Sequence, residues 1–254
     1  MRNRIRLLNA SVDDVTMDEL VESFREGLLL TLHTDMLEKL QRDRDFYDIL
    51  PRFDVTTCDS QILFWAARFL GTPLRERVSG SDFFPRFYMR HRSDPSVTIF
   101  ICGGKPGVPE LAQRNVNAKV GREMVVGTDS PPFDFEGRTE ALERTIARIN
   151  ESRATVLLVG LGGGRQEKFI VRHRDRFPHV KAFLPLGGTI DYEAGTLPRP
   201  SPWVTNAGGE WLYRVIKEPR ARWRRYFVQQ PPVLYQILKQ RLGRYRDPFG
   251  GQGA

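Results

Sequence analysis

Six short apolar or β-branched segments, at residues 28–32, 54–57, 97–102, 123–127, 155–159 and 181–186, recur along the chain with longer amphipathic stretches between them. No other feature restricts the fold so strongly. Brief apolar runs bounded by turn residues suit strands that are covered on both faces, and the 3.6-residue periodicity of the intervening stretches suits helices. Residues 35–50, 60–70, 81–90, 108–116, 138–152 and 166–176 are read as those helices. The repeated β, α, β order predicts an α/β fold with a mostly parallel sheet and helices on both faces.

The 254 residues, 40% hydrophobic and 28% charged, are enough for a sizeable core and exclude disordered, collagen-like and disulfide-scaffold chains. No apolar run approaches the roughly 20 residues of a membrane span. Residues 1–13 carry three arginines but no apolar stretch of the kind a secretory signal needs. The chain is therefore expected neither to cross a membrane nor to be exported. Cys58 and Cys102 are read as reduced, structural thiols of a cytoplasmic protein.

Ligands of open parallel sheets bind outside the carboxyl ends of the strands. The residues expected there are small and polar: Thr31 and His33 after strand one, Cys58 and Asp59 after strand two, and Gly103, Gly104 and Lys105 after strand three. Thr128 follows strand four; the run Gly162, Gly163, Gly164, Arg165, Gln166, Glu167 follows strand five; Gly187, Gly188 and Thr189 follow strand six. The run from Gly160 to Arg165 fails the dinucleotide fingerprint, because its final position is Arg. Glycines that expose backbone N–H groups before a helix still make a phosphate site, although any one of them serves equally well as a plain turn. Taken alone, Asp59 reads as a helix N-cap ahead of a catalytic base, and His33 as a structural histidine. No cluster has metal-ligand spacing, so neither a metal nor another cofactor is expected.

Charge is unevenly spread. Residues 211–247 hold ten basic side chains (Arg214, Lys217, Arg220, Arg222, Arg224, Arg225, Lys239, Arg241, Arg244 and Arg246) against Glu218 and Asp247, a balance equal to the whole formal charge of +8. Aromatic residues are interleaved with these cations, and Leu234, Ile237, Leu238 and Leu242 recur at helical spacing. The expected organisation is a body at 1–205, a basic amphipathic membrane-associating appendage at 206–247 and a flexible tail at 248–254. The appendage is expected to meet an anionic membrane surface. With no nucleic-acid motif in the body, nucleic acid is not expected as a partner. The competing use of the apolar stripe is packing on the body or on another subunit, the latter giving a homo-oligomer.

Several blocks together resemble a known family. The segment Val159-Gly160-Leu161-Gly162-Gly163-Gly164-Arg165-Gln166-Glu167 is similar to the Gly-rich block of the WecG/TagA/CpsF glycosyltransferases, family 26. Leu186-Gly187-Gly188-Thr189-Ile190-Asp191, Arg199-Pro200-Ser201-Pro202-Trp203, Glu210-Trp211-Leu212-Tyr213-Arg214 and Glu218-Pro219-Arg220 look like its later blocks, in order. Thr31-Leu32-His33, Cys58-Asp59-Ser60, Arg77-Val78-Ser79-Gly80-Ser81-Asp82 and Pro131-Pro132 fall where its earlier motifs should.

The resemblance implies a Rossmann-like fold of the type called GT-E, and an inverting, metal-independent transfer of a sugar from a UDP-sugar to a polyprenyl-diphosphate-linked saccharide in cell-surface or exopolysaccharide synthesis. It implies a peripheral protein at the cytoplasmic face of the inner membrane. Asp59 matches the family's catalytic base. Thr31, His33 and Gln166 match substrate-binding positions, and Arg199, Arg214, Arg220 and Arg224 fall among its C-terminal arginines. Gly103, Gly104, Lys105, Thr128, Gly162, Glu167, Gly187 and Gly188 complete the expected substrate edge. Three positions depart from the pattern: His33 stands for Asn, Ser60 for Gly and Gly164 for Pro. The first leaves N-acetylmannosamine and glucose as competing donor sugars. A catalytically silent relative that binds only nucleotide sugar or membrane is the alternative function.

Overall fold

The computed structural model describes residues 3–198 and 230–250. In chain order the elements are β1 (Arg4–Leu7), β2 (Ala10–Asp13), α1 (Met17–Ser23), β3 (Gly27–Leu32), α2 (Thr34–Lys39), α3 (Arg44–Ile49), β4 (Val55–Cys58), α4 (Gln61–Phe69), α5 (Gly80–Arg90) and β5 (Ile99–Gly103). There follow α6 (Val108–Val120), β6 (Val125–Asp129), α7 (Thr139–Glu151), β7 (Val156–Gly160), α8 (Arg165–His173), β8 (Ala182–Leu184) and α9 (Gly187–Ala194), and then α10 (Gln230–Arg241).

Six strands form one wholly parallel sheet in the order β4-β3-β8-β7-β5-β6. Its two faces are covered by different helices. Alternate strand residues such as Leu28, Leu30, Leu32, Leu157 and Val159 pack with α2, α3, α4, α7, α8 and α10. Their neighbours Leu29, Ile99, Ile101, Val156 and Leu158 pack with α1, α5, α6 and α9 on the other side. Burial on both faces is why these strands are continuously apolar rather than alternating. The expected α/β, Rossmann-like class with helices on both faces is the observed one.

The free edge of β4 is managed by the N-terminal hairpin. β1 and β2 pair antiparallel, and Asp13 Oδ2 accepts the Thr56 N–H at 2.8 Å, a backbone donor that an edge strand would otherwise expose. Arg4 holds the other carboxylate oxygen of Asp13 at 2.8 Å. Neither this hairpin nor α1 or α9 is among the elements expected from the sequence.

The stretch expected as one helix over 35–50 is two. Asp43 accepts the Phe46 N–H at 3.0 Å and so caps a new helix, α3, rather than continuing α2. Likewise α8 ends at His173 and continues only as a 3-10 turn over Arg174–Arg176.

Only the end of the expected appendage lies within the described residues, and it is docked. Val233 and Ile237 of α10 are buried in the body's core. Gln240 accepts the Leu8 N–H at 2.8 Å and donates to Arg6 O at 3.0 Å, binding the helix to the hairpin turn. Beyond α10, Tyr245 donates to Gln41 Oε1 and Asp247 accepts from Asn9 and Tyr47. Phe249 lies 5.3 Å from the Tyr47 ring.

Candidate active site

Because every strand of the main sheet runs the same way, all six carboxyl ends share one edge. The chain leaves β5 toward β6 and leaves β7 toward β8, so it departs in opposite directions between adjacent strands and opens a crevice there. Three glycines set its floor. Gly103 pairs with Gly160 in register, and a Cβ at Gly103 would stand 2.2 Å from Gly160 O. A Cβ on Gly160 would meet Ile190 at 2.5 Å, and a Cβ on either Gly160 or Gly187 would lie 3.2 Å from the other's Cα. These glycines serve close approach of strand ends and α9. Gly162 and Gly188 differ: a Cβ at either would meet nothing within 4 Å, so their backbone faces open space.

Asp59 follows β4 directly, its N–H donating to Leu32 O at 2.9 Å. It is not a helix cap. Ser60 caps α4 by accepting the Leu63 N–H, and Ser60 Oγ in turn lies 2.9 Å from Thr34 Oγ1. About a third of the Asp59 side chain is exposed. Among the described residues it meets the Gly80 N–H at the start of α5, 3.4 Å from Oδ2, and Arg77 Nη1, 3.7 Å from Oδ1. Arg77 also donates to Asp59 O at 3.0 Å. Arg77 belongs to a recognised motif but is absent from the expected site residues, because only the fold brings it across 18 residues to Asp59.

Thr31 is buried beside α5, where a Cβ on Gly80 would sit 3.2 Å from its Oγ1. His33 occupies the N-cap position of α2 and reaches the Gly-rich loop: its Nε2 lies 3.6 Å from where Gly163 would carry a Cβ. Lys39 donates to Gly163 O at 2.7 Å, a further contact with no sequence signal. Gly164 has φ +89°, which proline cannot adopt, and a Cβ there would collide with the Lys39 ammonium. The departure from the family's Pro at this position is therefore built into the local backbone.

At the head of α8, Glu167 has no exposed surface; its carboxylate accepts the Gly164 N–H and one Gln166 amide hydrogen, the latter at 2.9 Å. Burial pushes this carboxyl up to about 7, against the lowering effect of those donors and of Lys39. Gln166, also buried, gives its second amide hydrogen to Pro185 O at 2.7 Å.

The expected residues are not all neighbours. At roughly 4.8 Å per strand, the end of β4 with Asp59 is about 14 Å from the end of β7 and about 24 Å from that of β6. Asp59, Thr31, His33, the Gly-rich loop, Gln166 and Gly187 form one continuous group across β4, β3, β8 and β7. Gly104 and the exposed Lys105 continue it beyond β7. Thr128 lies at the far strand, its hydroxyl 3.4 Å from Glu110 Oε1. Arg199, Arg214, Arg220 and Arg224 lie outside the described residues.

The sequence profile of the Glycosyl transferase WecG/TagA/CpsF family matches residues 5–247. The chain belongs to this family. It is 26% identical over 214 residues to an N-acetylglucosaminyldiphosphoundecaprenol N-acetyl-beta-D-mannosaminyltransferase of Bacillus subtilis (strain 168), covering 84% of this chain and 80% of the relative. The protein of the same description from Bacillus spizizenii (strain ATCC 23059 / NRRL B-14472 / W23) is 26% identical over 219 residues, covering 85% and 79%. The carboxyl edge of the sheet carries the partly exposed carboxylate of Asp59, with Asp82 also beside Arg77, and the exposed backbone of Gly162 and Gly163 within the same continuous group.

Proposed function

We propose that this member of the family transfers a sugar from a UDP-sugar to a saccharide carried on polyprenyl diphosphate, by a single inverting displacement that needs no metal. The observation that carries the reading is that Asp59, with about a third of its side chain exposed, stands at the edge where α4, α5, α8 and α9 all begin. The Asp59 carboxylate takes the proton from the acceptor hydroxyl as that oxygen bonds to the anomeric carbon. The bond from that carbon to UDP breaks in the same step, and its electron pair leaves with the diphosphate. Helix N-termini and the N–H groups around Gly162 and Gly188 meet this charge, with Arg199, Arg214, Arg220 and Arg224 as further cations. Gly103, Gly104, Lys105 and Thr128 border the extension of the site toward the nucleoside.

The donor class is UDP-N-acetylmannosamine, the sugar in the names of both relatives, with UDP-glucose as competitor because His33 replaces the family's Asn. The test is a panel of UDP-sugars, with a polyprenyl-diphosphate N-acetylglucosamine as acceptor and a chelator present. UDP release with one of these donors is expected. Release with none, or only after metal is restored, contradicts the reading.

The acceptor is a lipid, and the protein presents a surface for it. No helix among the described residues is long and apolar enough to cross a membrane. α10 instead has two apolar faces: Val233 and Ile237 point into the body, whereas Leu234 and Leu238, and Leu242 just after the helix, remain exposed. The neighbouring α4 exposes Trp65 and Phe69, each by about half. Lys239, Arg241, Arg244 and Arg246 accompany these side chains, which suits peripheral docking on an anionic leaflet. Because α10 is part of the core, substitution tests this better than truncation. Replacing the four cations by Ala removes about 1 kcal/mol each, so affinity for phosphatidylserine-containing vesicles should fall by at least about 100-fold and lose most of its salt dependence. Unchanged sedimentation with such vesicles would remove the membrane reading.

A further inference from the structure

Gln166 has one oxygen and two amide hydrogens, and the hydrogens are both committed: one to Glu167 Oε1 at 2.9 Å, the other to Pro185 O at 2.7 Å. A backbone carbonyl can only accept, and so can the Glu167 carboxylate at a pH above the value of about 7 to which burial raises it, so there the amide cannot be turned over without setting its oxygen against two acceptors. The remaining atom, Gln166 Oε1, is buried with no hydrogen-bond partner among the described residues. It faces Gly187, where a Cβ would lie 2.9 Å away and cover it. Beside Gly187, Gly188 borders open space. A buried acceptor without a donor costs about 1–3 kcal/mol, which a ligand hydroxyl or N–H would recover.

We infer that Glu167 is a positioning residue that locks the Gln166 amide with its oxygen toward the crevice, so that Gln166 reads a hydrogen-bond donor of the substrate, a sugar hydroxyl or acetamido N–H, and not a phosphate oxygen. The inference rests on the transferase reading above and assigns Gln166 to the sugar portion of a substrate. Diphosphate oxygens, which need donors, fall to the backbone N–H groups and the cations. Glu167 itself has no exposed surface and touches no substrate; it acts through the Gly164 N–H, which shapes the loop, and through Gln166.

Glu167→Gln tests this with little change of volume. An amide in place of the carboxylate offers one accepting oxygen instead of two. With that oxygen kept on the Gly164 N–H, its NH2 group faces the Gln166 NH2 and the lock is lost: the unturned amide sets two NH2 groups together, and the turned-over amide sets its oxygen against Pro185 O while presenting hydrogens to the crevice. Transfer is assayed at pH 8 with the accepted UDP-sugar and with singly deoxygenated analogues of that sugar and, separately, of the acceptor saccharide. In the wild-type chain, loss of one hydroxyl or of the acetamido group should lower kcat/KM about tenfold or more. In Glu167→Gln the same deletion should cost less than about threefold, and the arm in which discrimination disappears tells whether the donor or the acceptor sugar is read.

Equal discrimination by both proteins overturns the inference. Should Glu167→Gln fail to fold, nitrogen-15 NMR of the unaltered protein decides: both Gln166 side-chain protons are expected to exchange slowly with solvent, and rapid exchange overturns it. Asp59→Asn, run alongside, separates the two claims. Activity retained by Asp59→Asn contradicts the catalytic reading, whereas the exchange of the Gln166 amide tests its orientation independently of any turnover.

Discussion

Asp59→Asn is expected to slow sugar transfer by roughly 100-fold or more while leaving the fold intact, the scale associated with removing a positioned general base. Asn has the same shape but one accepting oxygen, which serves either the Gly80 N–H, now on Oδ2, or Arg77, now facing Oδ1, and it cannot take a proton from a hydroxyl at neutral pH. The backbone bond from Asp59 N–H to Leu32 O and the capping of α4 by Ser60 do not involve the carboxylate, so melting temperature should change little. The informative measurement is a comparison of kcat and donor KM. A fall in kcat with nearly unchanged KM fits a base that acts in the transition state. A folded Asp59→Asn protein with near-normal kcat would remove Asp59 from the chemistry.

Gly103→Ala is expected to be the most damaging small substitution at the crevice, costing about 4 kcal/mol or more, a large part of the stability of an ordinary domain. Two effects add. Gly103 has φ +118°, a conformation L side chains rarely adopt, and its new Cβ would lie 2.2 Å from Gly160 O and 2.5 Å from Gly160 C. Both contacts are backbone of the adjacent strand, and Gly160 O already accepts the Gly104 N–H at 3.0 Å. Relief therefore requires parting β5 from β7. Gly121→Ala is the control: φ is +77°, yet a Cβ there meets nothing within 4 Å, so only the backbone penalty of about 1–2 kcal/mol applies. Chemical denaturation of the two variants should separate them by about 2 kcal/mol or more, and equal stabilities would refute the account of the crevice floor.

Much of this was legible in the sequence because its signals are local. Each strand of the main sheet announces itself as an apolar or β-branched run, since burial on both faces leaves few polar positions, and the structure places every one within two residues of its expected start or end. The shared carboxyl edge follows from parallel order alone, which is why Asp59, Thr31, Gln166 and Gly187 could be named before any coordinates. The hairpin was not legible: Arg4, Arg6 and Ser11 face outward, Asp13 is a buried polar residue at its end, and its turn uses Leu8 at φ 54°, with no glycine to mark it. α9 begins with Gly187 and Gly188, which read as a turn; packing on α6 and α5 overrides their low propensity. The insertion of β8 between β3 and β7 depends on pairing between distant segments, as do the contacts of Arg77 with Asp59 and of Lys39 with Gly163. Nor could periodicity alone reveal that Ile237 faces inward while Leu234 and Leu238 face out.

The central claim is a single displacement served by one base, and the anomeric configuration of the product reports on it most directly. Transfer from an α-configured UDP-sugar to a polyprenyl-diphosphate saccharide, with proton NMR of the released oligosaccharide, measures the new linkage. One attack from the side opposite UDP, with Asp59 receiving the hydroxyl proton, predicts a β linkage. An α linkage would contradict the account, since retention requires a second displacement or a different path for the leaving group.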